Sequence, residues 1–344
     1  MSSDLRRFPF LSQSADRARM PVALLSGFLG SGKTTLVNAL LRDPRLAGTA
    51  VAVNEFGPIP IDQDLIDHGS DQTIVLGNGC LCCNLSGDLE SAVMRLFARR
   101  DDGRIPPFQR LIVEPTGLAD PAPIAQAILR NPMMARDMRL AGIVTVVDSL
   151  FGLQQLERHK ETRKQIALAD RIVLTKPDLA DTAALFAVLP DINPEAPILT
   201  ALQGDIDPAT LFPPDFFDPA AVTDLPRRSP FIAETIDPSH TERRASASFI
   251  EPEPLTWPAF DAWLKSIRIP HAERLLRVKG ILNIAGARGP VVVQGVHHVL
   301  NNPVVLDAWA TGDHNSRLVL IADPGTIAIA RESWMASLPG MRAK

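Results

Sequence analysis

Short apolar runs punctuate the first two hundred residues of this chain, and each ends in a polar or glycine-rich loop. Val22-Ala23-Leu24-Leu25, Ala50-Val51-Ala52-Val53, Thr73-Ile74-Val75-Leu76, Leu111-Ile112-Val113, Gly142 to Asp148, Arg171 to Leu174 and Ala196 to Thr200 predict buried strands. Between them the spacing turns helical. Thr35 to Leu41 follows the first strand, Leu89, Val93, Leu96 and Phe97 recur at i, i+4, i+7 and i+8 after the third, and a helix is expected near Pro121, where proline is tolerated in a first turn. Strand, loop and helix in turn predict an α/β domain, a sheet with flanking helices.

The pattern changes after residue 204. Asp205 to Pro230 is dense in proline and lacks periodicity, which predicts a linker. Beyond it, strands are expected at Ala245 to Ile250, Leu275 to Ile284, Val291 to Val296 and Arg317 to Ile321, with a last helix from about Pro324. One helix in this half has Thr256 as N-cap, Pro258 in its first turn, and Phe260, Trp263, Leu264 and Ile267 on one face. The expected organisation is a loose tail over 1–20, an α/β domain over 21–204, a linker over 205–230 and a smaller α+β domain over 231–344. In the second domain the adjacent His297 and His298 would point to opposite faces of a strand and make a poor joint metal site. Trp257, Trp263 and Trp309 are expected to pack.

Composition narrows the function classes. A chain of 344 residues with 46% hydrophobic and 22% charged residues is ordinary for globular domains. The net charge of -4, without a long basic run, argues against broad nucleic-acid binding. No apolar run approaches membrane-spanning length, and Phe8-Pro9-Phe10-Leu11 is too short for a signal-peptide core, so the expected location is the cytoplasm. All three cysteines, Cys80, Cys82 and Cys83, lie within four residues. In a reducing compartment such a trio predicts metal or redox chemistry, not a disulfide framework.

The sharpest motif is Gly27-Phe28-Leu29-Gly30-Ser31-Gly32-Lys33-Thr34, a phosphate-binding loop set between a strand and a helix. Gly27, Gly30 and Gly32 let successive N–H groups turn toward phosphate oxygens, with Ser31 and Thr35 beside them. Lys33 is expected to charge-pair with the β and γ phosphates, and the Thr34 hydroxyl to ligate Mg²⁺. Two loops are candidate switches. Asn54 to Asp62 offers Asp62 as a carboxylate near Mg²⁺. The strand ending in Glu114 offers a second Mg²⁺ carboxylate, and Gly117 three residues on offers a backbone N–H to the γ-phosphate. Thr175-Lys176-Pro177-Asp178 ends a further strand and reads as the guanine reader: Asp178 accepts from the N1–H and exocyclic amine, and the Lys176 stem lies over the base. Thr175 stands where Asn is commoner, so one base contact is expected to be lost.

The cysteines sit in Gly77-Asn78-Gly79-Cys80-Leu81-Cys82-Cys83-Asn84, a flexible loop leading into a helix. Three thiolates can ligate one soft ion through bonds of about 2.3 Å. A structural zinc site normally closes with four protein ligands, so three local ones suit exchange.

Together these residues resemble the CobW family of metal-chaperone GTPases, relatives of the nickel-insertion GTPases that mature hydrogenase and urease. The resemblance rests on Gly-Phe-Leu-Gly-x-Gly-Lys-Thr-Thr-Leu at 27–36, Asn-Glu-Phe-Gly at 54–57, Cys-x-Cys-Cys at 80–83, Glu-x-x-Gly at 114–117, and Trp263-Leu264 with Leu275 to Gly280 in the second domain. It implies GTP hydrolysis coupled to delivery of zinc, or in some members cobalt, to a client metalloprotein. Pro58 replaces a Glu common after the second motif, and only His240 stands where many members carry a histidine-rich loop. Auxiliary metal sites and metal storage are therefore not expected.

The expected mechanism is that GTP and Mg²⁺ order the loops bearing Asp62 and Glu114, bringing Cys80, Cys82 and Cys83 to grip the ion, which hydrolysis releases. Zinc ranks first and cobalt second. No glutamine is placed to orient the attacking water, so slow intrinsic turnover is expected. Rival readings are a regulatory GTPase with redox-sensing cysteines, a cobalt-specific chaperone of the same family, and a P-loop kinase preferring ATP.

Overall fold

The computed structural model describes residues 19–53, 74–77, 85–213, 216, 245–309 and 312–343. The chain divides into two compact units, the first running from Ala18 to Phe217 and the second over the remainder beyond it.

In the first unit, seven strands form one sheet: β1 (Met20–Gly27), β2 (Thr49–Val53), β3 (Ile74–Gly77), β4 (Arg110–Glu114), β5 (Met138–Asp148), β6 (Arg171–Thr175) and β7 (Ile198–Ala201). Their order is β3-β2-β4-β1-β5-β6-β7, and every pairing is parallel. Parallel strands are covered on both faces, which is why they read as unbroken apolar runs. Val22, Leu24, Ile112, Val144 and Val173 are all buried. The covering helices include α1 (Lys33–Leu41), α2 (Leu85–Asp101), α3 (Pro121–Arg130), α4 (Pro132–Asp137), α5 (Gly152–Arg158), α6 (Lys160–Leu168) and α7 (Ala183–Ile192). On α2, Val93 and Leu96 are buried and Phe97 stacks on Phe108 with centroids 6.1 Å apart, as the apolar spacing predicts.

Because all seven strands run the same way, their carboxyl ends share one edge of the sheet. β1 lies between β4 and β5, with Leu24 opposite Val113 and Gly27 opposite Val146. The phosphate loop thus emerges between the ends of β4 and β5. In open α/β sheets this crevice is where ligands bind. Strand β5 begins four residues earlier than the apolar run suggests. Met138 and Leu140 are buried while Arg139 and Ala141 are only partly so, and this short alternating stretch hides the start.

The proline-rich stretch is not bare linker where it is described. A short helix, α8 (Pro208–Leu211), is capped by Asp207, whose side chain accepts from the Ala209 N–H. Leu211, Phe212 and Phe216 enter the first unit's core, the two rings meeting edge to face at 5.1 Å. Gly142 makes room for Phe216, since a Cβ there would lie 2.8 Å from the ring. Anchors spaced one, four and five residues apart among prolines leave no periodicity to read.

In the second unit the main sheet is antiparallel, in the order β11-β10-β9-β13-β8, with β12 paired to β10. Its strands are β8 (Ala245–Glu251), β9 (Arg277–Leu282), β10 (Val291–Val296), β11 (Val299–Leu300), β12 (Val304–Val305) and β13 (Ser316–Ala322). Helices α9 (Trp257–Arg268) and α10 (Pro324–Met341) pack with them around Phe249, Phe260, Trp263 and Trp334. Trp263 and Trp334 meet at 4.7 Å, and the buried indole Nε1 of Trp263 donates to Ser333 Oγ at 3.1 Å. Trp257 is core, and Trp309 packs on a satellite cluster and stacks on His314.

Two local expectations change in this unit. Thr256 occupies the N-cap position of α9 but its side chain makes no capping bond, whereas Asp323 caps α10 by accepting from the N–H groups of Gly325 and Thr326. His297 and His298 lie in the turn between β10 and β11, not in a strand. His297 is buried with φ of +54° and its Nδ1 lies 3.2 Å from the Ala272 carbonyl, consistent with a structural role.

Candidate functional site

The phosphate loop is shaped by its glycines. Gly27, Gly30 and Gly32 have φ of +144°, +74° and +91°. At Gly27 sterics add to the backbone demand, because a Cβ would meet the Val146 carbonyl oxygen at 2.3 Å. Gly32 is the left-handed N-cap from which α1 starts, and the Leu36 N–H closes on its carbonyl at 2.9 Å. Lys33, the first residue of α1, is buried and folds over the loop: its Nζ donates to the carbonyls of Gly27 (3.0 Å) and Phe28 (3.2 Å). The ammonium is therefore fixed where the loop and the helix dipole already favour an anion. The Phe28 ring is itself braced against His159, with centroids 4.4 Å apart.

Thr34 and Glu114 meet across the crevice. The Thr34 hydroxyl donates to Glu114 Oε1 at 3.0 Å, and Glu114 is buried at the end of β4. A hydroxyl oxygen and a carboxylate oxygen at this spacing are hard donors of the kind Mg²⁺ takes, so these two residues fit that ion. Gly117 lies against the phosphate loop itself. A Cβ there would come within 2.4 Å of Leu29 N, 2.5 Å of Leu29 Cα and 2.9 Å of the Phe28 carbonyl carbon. The turn that carries Gly117 is held from behind by Gln165 on α6, whose buried amide donates to the carbonyls of Gly117 (3.1 Å) and Ala119 (3.0 Å).

The expected base-reading loop is bound to the phosphate loop by its first two residues. Thr175 is buried, and its hydroxyl donates to the Ser31 carbonyl at 2.6 Å, so its side chain is a strut between the two loops. Lys176 takes φ of +53°, and its Nζ donates to the Gly30 carbonyl at 2.9 Å. Asp178 is exposed two residues further on. Ser31 is buried within the loop and Thr35 is exposed on α1. The loop after β7 also closes on this region: Gly204, at φ of +84°, would place a Cβ 2.7 Å from the Thr35 carbonyl oxygen.

Lys33, Thr34, Glu114, Gly117, Thr175 and Lys176 are thus gathered at one edge of the sheet. Asp62, Cys80, Cys82 and Cys83 lie outside the described residues. Among the described residues, no group of three or more His, Cys, Asp or Glu side chains is gathered to hold a metal ion. No described helix is long and apolar enough to cross a membrane.

Two residues of this region were not singled out from the sequence. Asp148, at the end of β5, faces Lys176 Nζ at 2.6 Å. A carboxylate closing an otherwise apolar strand is the signal that picked out Glu114, and it applied equally here. Gln165 carried no such signal, since its partners are backbone carbonyls 46 and 48 residues away.

Residues 21–200 match the family described as CobW/HypB/UreG, nucleotide-binding domain, and residues 245–337 match the cobalamin synthesis protein cobW C-terminal domain. The chain is 34% identical over 325 residues to the zinc chaperone YjiA of Escherichia coli K12, covering 93% of this chain and 98% of that one. It is 33% identical over 198 residues to the zinc-regulated GTPase metalloprotein activator 1 of Schizosaccharomyces pombe, covering 55% of this chain and 47% of that one. A crystal structure of Zn(II)-bound YjiA GTPase from E. coli superposes with a TM-score of 0.65 at 27% identity, covering 94% of this chain and 99% of that one.

Proposed function

The chain belongs to the CobW/HypB/UreG family of P-loop GTPases, and from that premise we propose that it is a GTP-dependent metallochaperone that carries zinc on Cys80, Cys82 and Cys83 to a client protein. GTP binds at the carboxyl edge of the first sheet. The N–H groups of the Gly27 to Thr34 loop receive the phosphates, and Lys33 exchanges its carbonyl contacts for phosphate oxygens. Thr34 and Glu114, with Asp62, hold Mg²⁺, which when bound neutralises charge developing on the phosphate oxygens.

Asp178 reads the guanine edge, while Thr175 keeps its loop on the phosphate loop. Gly117 offers its N–H to the γ-phosphate, so the turn held by Gln165 responds to whether that phosphate is present. The cysteine trio carries the cargo. Thiolates favour zinc over harder ions, with cobalt ranked second. The transfer requires a client, and the turnover of the isolated protein is slow.

The observation that supports this reading most strongly is the contact between Thr34 and Glu114 beside the Lys33 loop, in a chain so similar to a named zinc chaperone. The test is metal analysis of protein purified under reducing conditions with GTP and Mg²⁺, comparing the parent with Cys82→Ser. Stoichiometric zinc in the parent and its loss in the variant is expected. Equal metal content in the two would remove the cysteine assignment.

A further inference from the structure

Asp148 is 1% exposed. A carboxylate so placed is costly unless its oxygens are matched. One oxygen, Oδ1, accepts from the N–H of Leu150 at 2.8 Å and, at 3.4 Å, from that of Phe151. The other, Oδ2, lies 2.6 Å from Lys176 Nζ, and the same ammonium donates to the Gly30 carbonyl at 2.9 Å. Lys176 reaches this position from a left-handed backbone, φ +53°, which a long side chain seldom adopts. Strain of that kind persists only where the surroundings over-determine it. Here the neighbouring Thr175 hydroxyl on Ser31, the Ser149 N–H on the Thr175 carbonyl (3.0 Å) and the Asp148 carboxylate all do so.

We propose that Asp148 is a positioning residue for base recognition. Its buried carboxylate holds the Lys176 ammonium on the Gly30 carbonyl, so the four-carbon stem of Lys176 becomes a fixed apolar wall for the purine plane. A lysine stem has several rotatable bonds and is a poor wall until its head is tethered. A charge-assisted bond to a buried partner is a strong tether and is little screened by salt. The inference rests on reading Thr175 to Asp178 as the guanine loop, and adds to it a residue from the neighbouring strand.

Calorimetric titration of the full chain with GDP, IDP, ADP and inorganic tripolyphosphate tests it, using Asp148→Asn, Lys176→Met, the double variant and Asp178→Asn. Because the Lys176 stem contacts the ring and not the exocyclic amine, Asp148→Asn should weaken GDP and IDP by the same factor, about tenfold given the loss of one charge-assisted bond. Its affinity for tripolyphosphate, which has no base, should match the parent's. The double variant should bind GDP no more weakly than Lys176→Met alone.

Asp178→Asn should instead weaken GDP more than IDP. If the parent binds GDP and ADP alike, the guanine reading fails and takes this proposal with it. If the parent prefers GDP, the proposal alone is overturned by unchanged GDP affinity in Asp148→Asn, by equal losses for GDP and tripolyphosphate, or by additive losses in the double variant. Should Asp148→Asn not fold, Lys176→Met decides: unchanged GDP affinity there removes the wall that Asp148 is said to hold.

Discussion

Replacing Gly117 with alanine adds one methyl group at the point where the turn after β4 touches the phosphate loop. That methyl would sit 2.4 Å from Leu29 N, 2.5 Å from Leu29 Cα and 2.9 Å from the Phe28 carbonyl carbon. All three are backbone atoms, so no side chain can rotate away. Restoring ordinary contact means separating the turn from the loop by about 1 Å, a shift that costs up to roughly 100-fold in rate when it misplaces reacting groups. Overpacking of this kind also costs about 1–3 kcal/mol of stability.

GTP turnover at saturation should therefore fall by about 100-fold, equivalent to about 2.7 kcal/mol of barrier. GDP affinity should suffer less, because GDP lacks the γ-phosphate that Gly117 is proposed to serve. Single-turnover hydrolysis, fluorescent-GDP binding and thermal melting of Gly117→Ala measure the three effects. Unchanged turnover with an unchanged melting curve would show that the turn and the loop do not bear on each other as the contacts require.

Glu114→Gln keeps the size of the side chain but removes the charge facing Thr34. Turnover in Mg²⁺ should fall by at least about 100-fold, as loss of metal-assisted charge stabilisation implies, with nucleotide still bound. Thr175→Val removes the donor to the buried Ser31 carbonyl and should cost about 1–3 kcal/mol in urea unfolding, with a raised KM for GTP. Phe216→Ala should cost about 3–5 kcal/mol in the unfolding of the first unit if its ring is core; a negligible change would return 208–216 to the linker.

What the sequence disclosed and what it withheld follow from the range of the interactions. The phosphate loop was legible because its function is local: glycines, lysine and threonine act within eight residues of backbone. Glu114 was legible because a lone acid ends an apolar run. Asp148 bears the same mark, yet its meaning depends on Lys176, 28 residues away. At Thr175 the motif position points to a weakened base contact but not to what the hydroxyl does instead: it donates to the Ser31 carbonyl, a partner 144 residues away on the phosphate loop. Phe212 and Phe216 are hidden among prolines: both enter the core, Phe216 against Gly142, with no repeat to report it. His297 reads as a strand residue because Val291 to Val296 runs straight into it. The hairpin turn there needs a left-handed residue, which apolar patterning does not report.

The proposed function requires coupling between the nucleotide and the metal. Chelator competition for Zn²⁺ should be run on the full chain with a non-hydrolysable GTP analogue and Mg²⁺, with GDP and Mg²⁺, and without nucleotide. Zinc should be held about 5–150-fold more tightly with the GTP analogue than with GDP, the usual size of allosteric coupling. Equal zinc affinity in all three conditions would contradict the account.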